Sequence, residues 1–566
     1  MFDGRTALIA IALGAGAIAV SAQSKTSEEL TLYPSSLTMA LREQRVVAVA
    51  TRSGKTPPRV EWTISNPAVA TLSVRGASAD IKASSAGRAI ITARVDGRMT
   101  TAALTVAEEP ELRLGTTRWA VPPIAGMTPR PLIEASRVDD DGADLFAVDA
   151  DRMKRFVIVR ALTSKGTLAW QSTVRGTPWA GDRFGGLIVR LGPLDQPSRT
   201  LGRFDRARST IPSWRYKARG DLDDFGESDD GTIFLIIQRH PRLNVRDENG
   251  QVVAIDGRTG LETGHFTLPP STWQTTGTCV PKATLVRRPS ELGSLGEGTN
   301  GGIYAELLVV HDLWNRTCEK GRPVFGRGKF KLSRELQLVR ITRTGFTPVR
   351  SLWREDVEGV DSVDRLRSVE DVAPGPVVEL KSGELVAFRT HINLDASGRV
   401  QARLDVARLV RGEVAKEVVR PAVVNANKSW RLLIDAPDVP RVYFGDGSTL
   451  QAIDLSGNLA WTMETAALPF EAIETNSVAA NDVSRGQVIT VNFRGQVLRT
   501  FPARVDDARM VASGPGLFYG VDPQTRAVVE VQQPEYIETG WSSTIDVSTT
   551  FEEVRRRFAD FLIETR

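Results

Sequence analysis

The chain reads as all-β: a β-sandwich at the N-terminus, a seven-bladed or eight-bladed β-propeller behind it, and a short helix at the C-terminus. Three observations predict this. One hairpin signature recurs through the last three quarters of the 566 residues. Residues 29–107 alternate apolar and polar in short runs between regularly spaced turns. Only the segment 549–566 carries an amphipathic helical period, with Phe551, Val554, Phe558, Phe561 and Leu562 on one face.

The N-terminus comes first. Ala7 to Val20 is an apolar and Gly run after Arg5, and Val20-Ser21-Ala22 supplies small residues at the spacing of a cleavage site. Residues 1–22 therefore read as a secretory signal peptide, too short for a comfortable membrane span. The rival reading is an uncleaved anchor. Export implies a periplasmic or secreted protein, in the cell envelope or outside it. No later apolar stretch is long enough to cross a bilayer.

Residues 29–107 form the sandwich. Leu30-Thr31-Leu32, Val46-Val47-Ala48-Val49, Ala89 to Ala93 and Leu104-Thr105-Val106 are its strands; Pro34-Ser35-Ser36, Ser53-Gly54, Asn66-Pro67 and Asp96-Gly97 are its turns. The stretch Val60-Glu61-Trp62-Thr63-Ile64-Ser65-Asn66-Pro67-Ala68-Val69-Ala70, followed by Ala86-Gly87-Arg88-Ala89-Ile90-Ile91-Thr92-Ala93, resembles the bacterial Ig-like group 2 domain. That resemblance implies an adhesion or spacer module in which Trp62 is a core residue. Residues 108–131 carry five prolines (Pro110, Pro122, Pro123, Pro129, Pro131) and read as a stiff linker, with Trp119 anchoring the strap onto a neighbouring domain.

The repeats fill residues 132–545. Each has two or three aliphatic residues, a polar turn with Gly, and a strand often ending in Trp. Copies are Ile158–Val159 with Gly166 and Trp170, Val252–Val253 with Asp256 and Gly260, and Leu338–Val339 with Gly345 and Trp353. Further copies are Leu404–Val406 with Gly412, Leu450 to Trp461 around Gly457, and Val488–Val491 with Gly495; weaker ones lie near Gly202 and at Phe518–Val531. A strand-rich unit of this kind cannot bury its own apolar face, so the copies stack as blades. Ala254-Ile255-Asp256 to Gly260 and Ala452-Ile453-Asp454 to Trp461 resemble the repeat of quinoprotein-like propellers. The resemblance implies a Trp packed between neighbouring blades; at the first copy Gly264 stands in that place. The widest gap between repeats holds Ser271 to Gly302, read as a Gly-, Thr- and Ser-rich insertion on the loop face.

Composition excludes more than it selects. Lys and Arg number 72 against 68 Asp and Glu, so the net charge of +4 is slight, and no dense basic run with interleaved aromatics stands out. Nucleic acid is therefore not an expected partner. The two cysteines, Cys279 and Cys318, read as one disulfide in an exported chain, closing a loop whose entropy is worth about 4 kcal/mol. They are not vicinal, so the quinone dehydrogenases' cysteine ring cannot form, and no cofactor is expected. The four His are scattered. Asp139, Asp141 and Asp144 surround a Gly turn in the manner of a calcium loop, one residue short of the integrin-type pattern, and Asp221 to Gly226 reads as a second acidic turn. No Gly-x-Ser-x-Gly elbow or His-Glu-x-x-His is present. The expected work is non-catalytic binding of a protein or glycan by the propeller's loop face. The alternative is an enzyme with a central-channel site, acting on polysaccharide or as a metal-dependent oxidoreductase.

Overall fold

The computed structural model describes residues 29–546 except 110, 136–142, 154, 209, 239–249, 280–283, 363–370, 381–382, 395–399, 411–412, 425–428, 436–440, 455–458, 474–476, 511–516 and 533–540. The segments read as a signal peptide, 1–22, and as a C-terminal helix, 549–566, both lie outside these residues. Every regular element described is a strand, and none is a helix long and apolar enough to cross a membrane.

The N-terminal sandwich has two four-stranded layers. The first runs in the order Leu30–Tyr33, Gln44–Thr51, Ser78–Ala83, Ala70–Arg75; the second in the order Glu61–Ile64, Gly87–Val95, Arg98–Val106, Ser36–Met39. Alternation does the sorting: in Gly87–Val95, Ala89, Ile91, Ala93 and Val95 are buried while the residues between them face outward. Trp62 is not part of the fully buried core. It sits half-buried on an edge strand, its indole N–H donating to Gly76 O at 3.1 Å.

Eight blade sheets follow, the larger of the two counts expected. Their second strands are Leu145–Asp151, Leu187–Leu191, Thr232–Gln238, Gly302–Glu319, Leu385–Leu394, Arg441–Gly445, Ser477–Asp482 and Leu517–Val521, in blades 1 to 8. Their fourth strands lie at the periphery: Val497–Pro502 of blade 7 is exposed except for Phe501. First strands converge instead. A Cβ on Gly181 of blade 2 would lie 2.2 Å from Glu134 O of blade 1, and one on Gly293 of blade 4 would lie 2.2 Å from Gly375 O of blade 5. Apolar cores fill the described gaps between neighbours, for example Phe234, Val252 and Ala254 of blade 3 against Ile303, Ala305 and Val339 of blade 4.

The eighth blade is completed from outside the repeat region. Only three of its strands, Asp506–Met510, Leu517–Val521 and Val528–Gln532, come from the repeat region; the fourth is Thr117–Val121. That strand lies in the segment read as a linker. It closes blade 8 on one edge, with Ala120 opposite Val529 and Trp119 opposite Glu530. On its other edge it pairs with the sandwich strand Ser36–Met39, Ala120 facing Ser36. One eight-stranded sheet therefore runs from the sandwich into the propeller.

Trp119 docks as a Trp between blades should. Its ring is fully buried, its centroid lies 5.6 Å from that of Tyr519, and its N–H donates to Ser164 O of blade 1 at 3.1 Å. A Cβ on Gly166 would lie 2.7 Å from its Cδ2. Trp214 of blade 2 covers Gly260 of blade 3 in the same way, and Trp461 of blade 6 covers Gly495 of blade 7. At Gly264 no Trp could stand, because a Cβ there would meet Arg343 O at 2.0 Å. Gly202 is no hairpin glycine either; it lies inside the strand Thr200–Phe204.

A buried charge cluster locks the same seam. Arg118, at a bulge in the pairing, binds Glu43 of the sandwich and Gln532 of blade 8, the latter at 2.8 Å. Arg45 lies 2.6 Å from Glu43 and 3.8 Å from Glu530. Burial pushes the Glu530 carboxyl up to about 7, against the pull of Arg45 and Arg118. On blade 1, Gln171 Nε2 donates to Arg52 O of the sandwich at 2.7 Å.

Two outcomes follow. Trp119→Ala removes the ring that joins blade 8 to blade 1, and chemical denaturation should show a loss of about 3–5 kcal/mol; a loss under 1 kcal/mol would place the closure elsewhere. Glu530 has a raised folded pKa. Its contribution to stability is present below the unfolded value of about 4.3 and is lost as pH rises through about 7. In Glu530→Gln the melting temperature should therefore fall less between pH 5 and 8 than in the wild type.

Candidate binding surface

Blade 4 departs from the others by length. Its strands Gly302–Glu319, Arg322–Thr342 and Gly345–Ser362 have 18, 21 and 18 residues, where the corresponding strands of blade 2 have five, five and four. At about 3.4 Å per residue the first spans about 60 Å, so its distal half, from His311 onward, projects as a wing. The segment Ser271–Gly302, expected as a loop, supplies structure to this wing: Pro270–Thr276 runs parallel to it, Thr272 facing His311, and Thr284–Pro289 pairs outside that.

The wing shares the core between blades 4 and 5. Trp273, Trp314, Phe330 and Leu332 are buried, together with Leu308 and Leu336 at the base of blade 4 and Val377, Leu385 and Ala387 of blade 5. Trp314 stacks on Phe330 with centroids 4.9 Å apart, and the Arg316 guanidinium lies 5.4 Å over Trp314. Cys279 and Cys318 are joined, their Cα atoms 5.8 Å apart, and the Cys279 N–H donates to Cys318 Sγ at 3.0 Å. This is the disulfide expected from the sequence, and it ties the end of the parallel strand to the long hairpin.

Charges are buried where the wing meets blade 5. Asp312 pairs with Arg334 at 3.1 Å, and His391 Nε2 lies 2.5 Å from Asp405. Glu306 is fully buried; its Oε2 accepts the Gly375 N–H at 2.9 Å. Burial drives its carboxyl up to about 8, although Arg389 and His391 pull it down. Of the other histidines, His265 contacts Glu262 at 3.3 Å and Gln251 at 3.1 Å, His311 contacts Thr272 Oγ1 at 2.8 Å, and His240 lies outside the described residues.

The tip of the wing holds what composition concealed. Lys320 and Gly321, both at positive φ, form the two-residue turn between Glu319 and Arg322. Around it, residues 316–331 contain six basic side chains and one acidic one, Glu319, with Phe325 and Phe330 between them. A sequence window of this width shows that run. Its meaning depends on the hairpin, which brings the two halves onto one projecting element.

A second polar group lies on first strands. Asp221–Ser228, which contains the acidic turn read from the sequence, is the first strand of blade 3, and Asp223 sits at a bulge in it. Trp179 occupies the corresponding bulge of blade 2. Arg190 lies 4.6 Å over Trp179, whose ring centroid is 5.8 Å from that of Phe225. Asp224 accepts the Leu295 N–H at 2.7 Å, and burial raises its carboxyl to about 6; burial raises Asp223 too, with Arg190 opposing. Of the calcium loop, Asp139 and Asp141 lie outside the described residues. The Asp144 carboxylate accepts the Ser164 N–H at 2.5 Å. Among the described residues no group of three or more His, Cys, Asp or Glu is placed to hold a metal ion.

No known protein family matches the chain, and no curated protein matches it. Similar solved structures are propeller-like and distant. BBS1N in complex with ARL6DN is 10% identical, with 75% of this chain and 98% of that one covered and a TM-score of 0.34. Apo AztD from Citrobacter koseri is 9% identical, with 78% and 95% covered and a TM-score of 0.31. A quinoprotein alcohol dehydrogenase-like protein from Bacteroides thetaiotaomicron is 8% identical, with 82% and 93% covered and a TM-score of 0.24. The propeller description stands on the order of strands in the sheets.

Removing the disulfide tests how firmly the wing is held. Cys279→Ser combined with Cys318→Ser should cost about 2–4 kcal/mol in denaturant unfolding, and the unreduced wild type, once denatured, should show no thiol to a labelling reagent. A double variant as stable as the wild type would mean that the wing's core suffices.

Proposed function

We propose that the protein is an exported, non-catalytic binding scaffold, with the wing of blade 4 as the element that engages a protein or glycan partner at the cell envelope. One observation carries the reading: a blade extended about 30 Å past its neighbours, with aromatic rings that continue the core shared with blade 5 and a disulfide at its end. Such an extension adds nothing to closure of the ring. It does present a preordered surface, which lowers the entropy lost on binding. The disulfide and the leader read at residues 1–22 support export. In this reading the sandwich is a brace for blade 8 as well as a spacer.

The enzyme alternative draws on Trp179, Arg190, Asp223 and Asp224, where two desolvated carboxyls stand near an aromatic face on first strands. Aromatic and acidic groups of that kind suit a sugar chain.

The two readings separate in one experiment. A variant lacking 311–331, closed by a short turn and carrying Cys279→Ser, is compared with the wild type for retention by purified envelope glycans and envelope protein fractions. Retention that disappears with the wing, from a protein that still unfolds in one cooperative transition, is the expected result. Release of shortened glycan that stops in Asp224→Asn would replace the scaffold reading with the enzyme.

A further inference from the structure

We propose that the tip of the wing, residues 316–331, is a docking site for an acidic polysaccharide. This rests on the scaffold reading above and names the partner's chemistry. The six basic residues are Arg316, Lys320, Arg322, Arg327, Lys329 and Lys331. With Glu319 subtracted, the tip carries more positive charge than the net +4 of the whole chain, so the rest of the molecule is close to neutral. Six cations and one carboxylate on a single projecting hairpin make a local positive field.

The hairpin's register sorts the side chains. Trp314 and Phe330 are paired across the strands and buried, while Asn315 and Lys329, paired beside them, are exposed. Lys331 follows Lys329 on the same outward face, in contact with Glu358 of the next strand at 2.5 Å. Lys320 and Arg322 are exposed at the turn. Among the described residues no ion pair engages Lys320, Arg322 or Lys329. These cations lie along about five residues of hairpin, roughly 15 Å, and do not converge on one point. A line of separated cations matches a polymer with regularly spaced carboxylates or sulfates better than a single small anion.

The described aromatic rings favour a polysaccharide. Single-stranded nucleic acid is held by stacking on exposed aromatic faces, and Trp314 and Phe330, the described rings of this hairpin, are turned into the core instead; the Phe325 side chain lies outside the described residues. The same burial leaves neither ring to enter a bilayer. The disulfide beside the turn and the Arg316–Trp314 contact hold the tip in one shape before any ligand arrives.

The test uses the full chain and polygalacturonate, with neutral dextran as the control, in affinity electrophoresis across a salt series. Wild type should be retarded by polygalacturonate alone, and less so as salt rises. The variant Lys320→Glu/Arg322→Glu/Lys329→Glu should bind about tenfold more weakly or worse, with an unchanged melting temperature. Equal binding by the variant, no binding by the wild type, or tighter wild-type binding to DNA or to phosphatidylglycerol vesicles each overturns the proposal. Should the charge-reversed protein keep its hold on envelope fractions while the protein lacking 311–331 loses it, the scaffold reading stands and this inference falls.

Discussion

Five residues of extended backbone, Thr117–Val121, are hydrogen-bonded along both edges, and the remainder of the architecture hangs on them. On one side they supply blade 8 with its fourth strand; on the other they continue into the sandwich. A strand used on both edges has no exposed template for another chain. It also couples two units that a short linker would otherwise leave independent. Trp119 adds packing to this pairing, and the Glu43, Arg45, Arg118 and Glu530 cluster adds charge. Truncating one member of such a cluster strands its partners in a dry seam.

The same concern with edges shows on the inner side of the blades. First strands are bulged at Trp179, at Asp223, between Pro374 and Val377, at Phe470 and between Asp506 and Arg509. In blade 1 the first strand is split into Met127–Pro129 and Ile133–Glu134. Bulges blunt an edge that has no partner over that stretch. In blade 6 the first strand, Ser429–Asp435, pairs without a shift, and its other edge is covered by Trp541–Asp546. Where a strand covers the edge, no bulge interrupts it. The bulges also turn single residues out of the ladder, which places Trp179 and Asp223 on neighbouring first strands.

Blades 4 and 5 depart from this economy. Their long strands carry a core beyond the ring and buried charges at its base, Glu306 among them, whose carboxyl burial favours in the neutral form at neutral pH. The projecting hairpin then separates two kinds of side chain by register alone. Rings face inward to hold the shape, and lysines face outward, Lys329 exposed and Lys331 beside Glu358.

Local chemistry was enough to read strands, turns and the cysteine pair. Alternation marks Gly87–Val95, hairpin glycines mark Gly166, Gly260 and Gly495, and two cysteines in a chain read as exported imply one bond. These signals act within a dozen residues, or depend only on how many cysteines there are. Pairing across hundreds of residues leaves no such trace. Trp170 and Gly166 are close in sequence and read as one repeat, yet the ring on Gly166 is Trp119, from the outer strand of the preceding blade. The prolines around Thr117–Val121 argue for a strap, because nothing local tells that strand that Ser36–Met39 and Val528–Gln532 will flank it. Nor does a net charge of +4 disclose a basic point, since a sum over the chain discards position. Blade count, closure, the brace and the wing were decided by tertiary structure, because each depends on which backbone edge meets which, and an edge has no side chain to announce it.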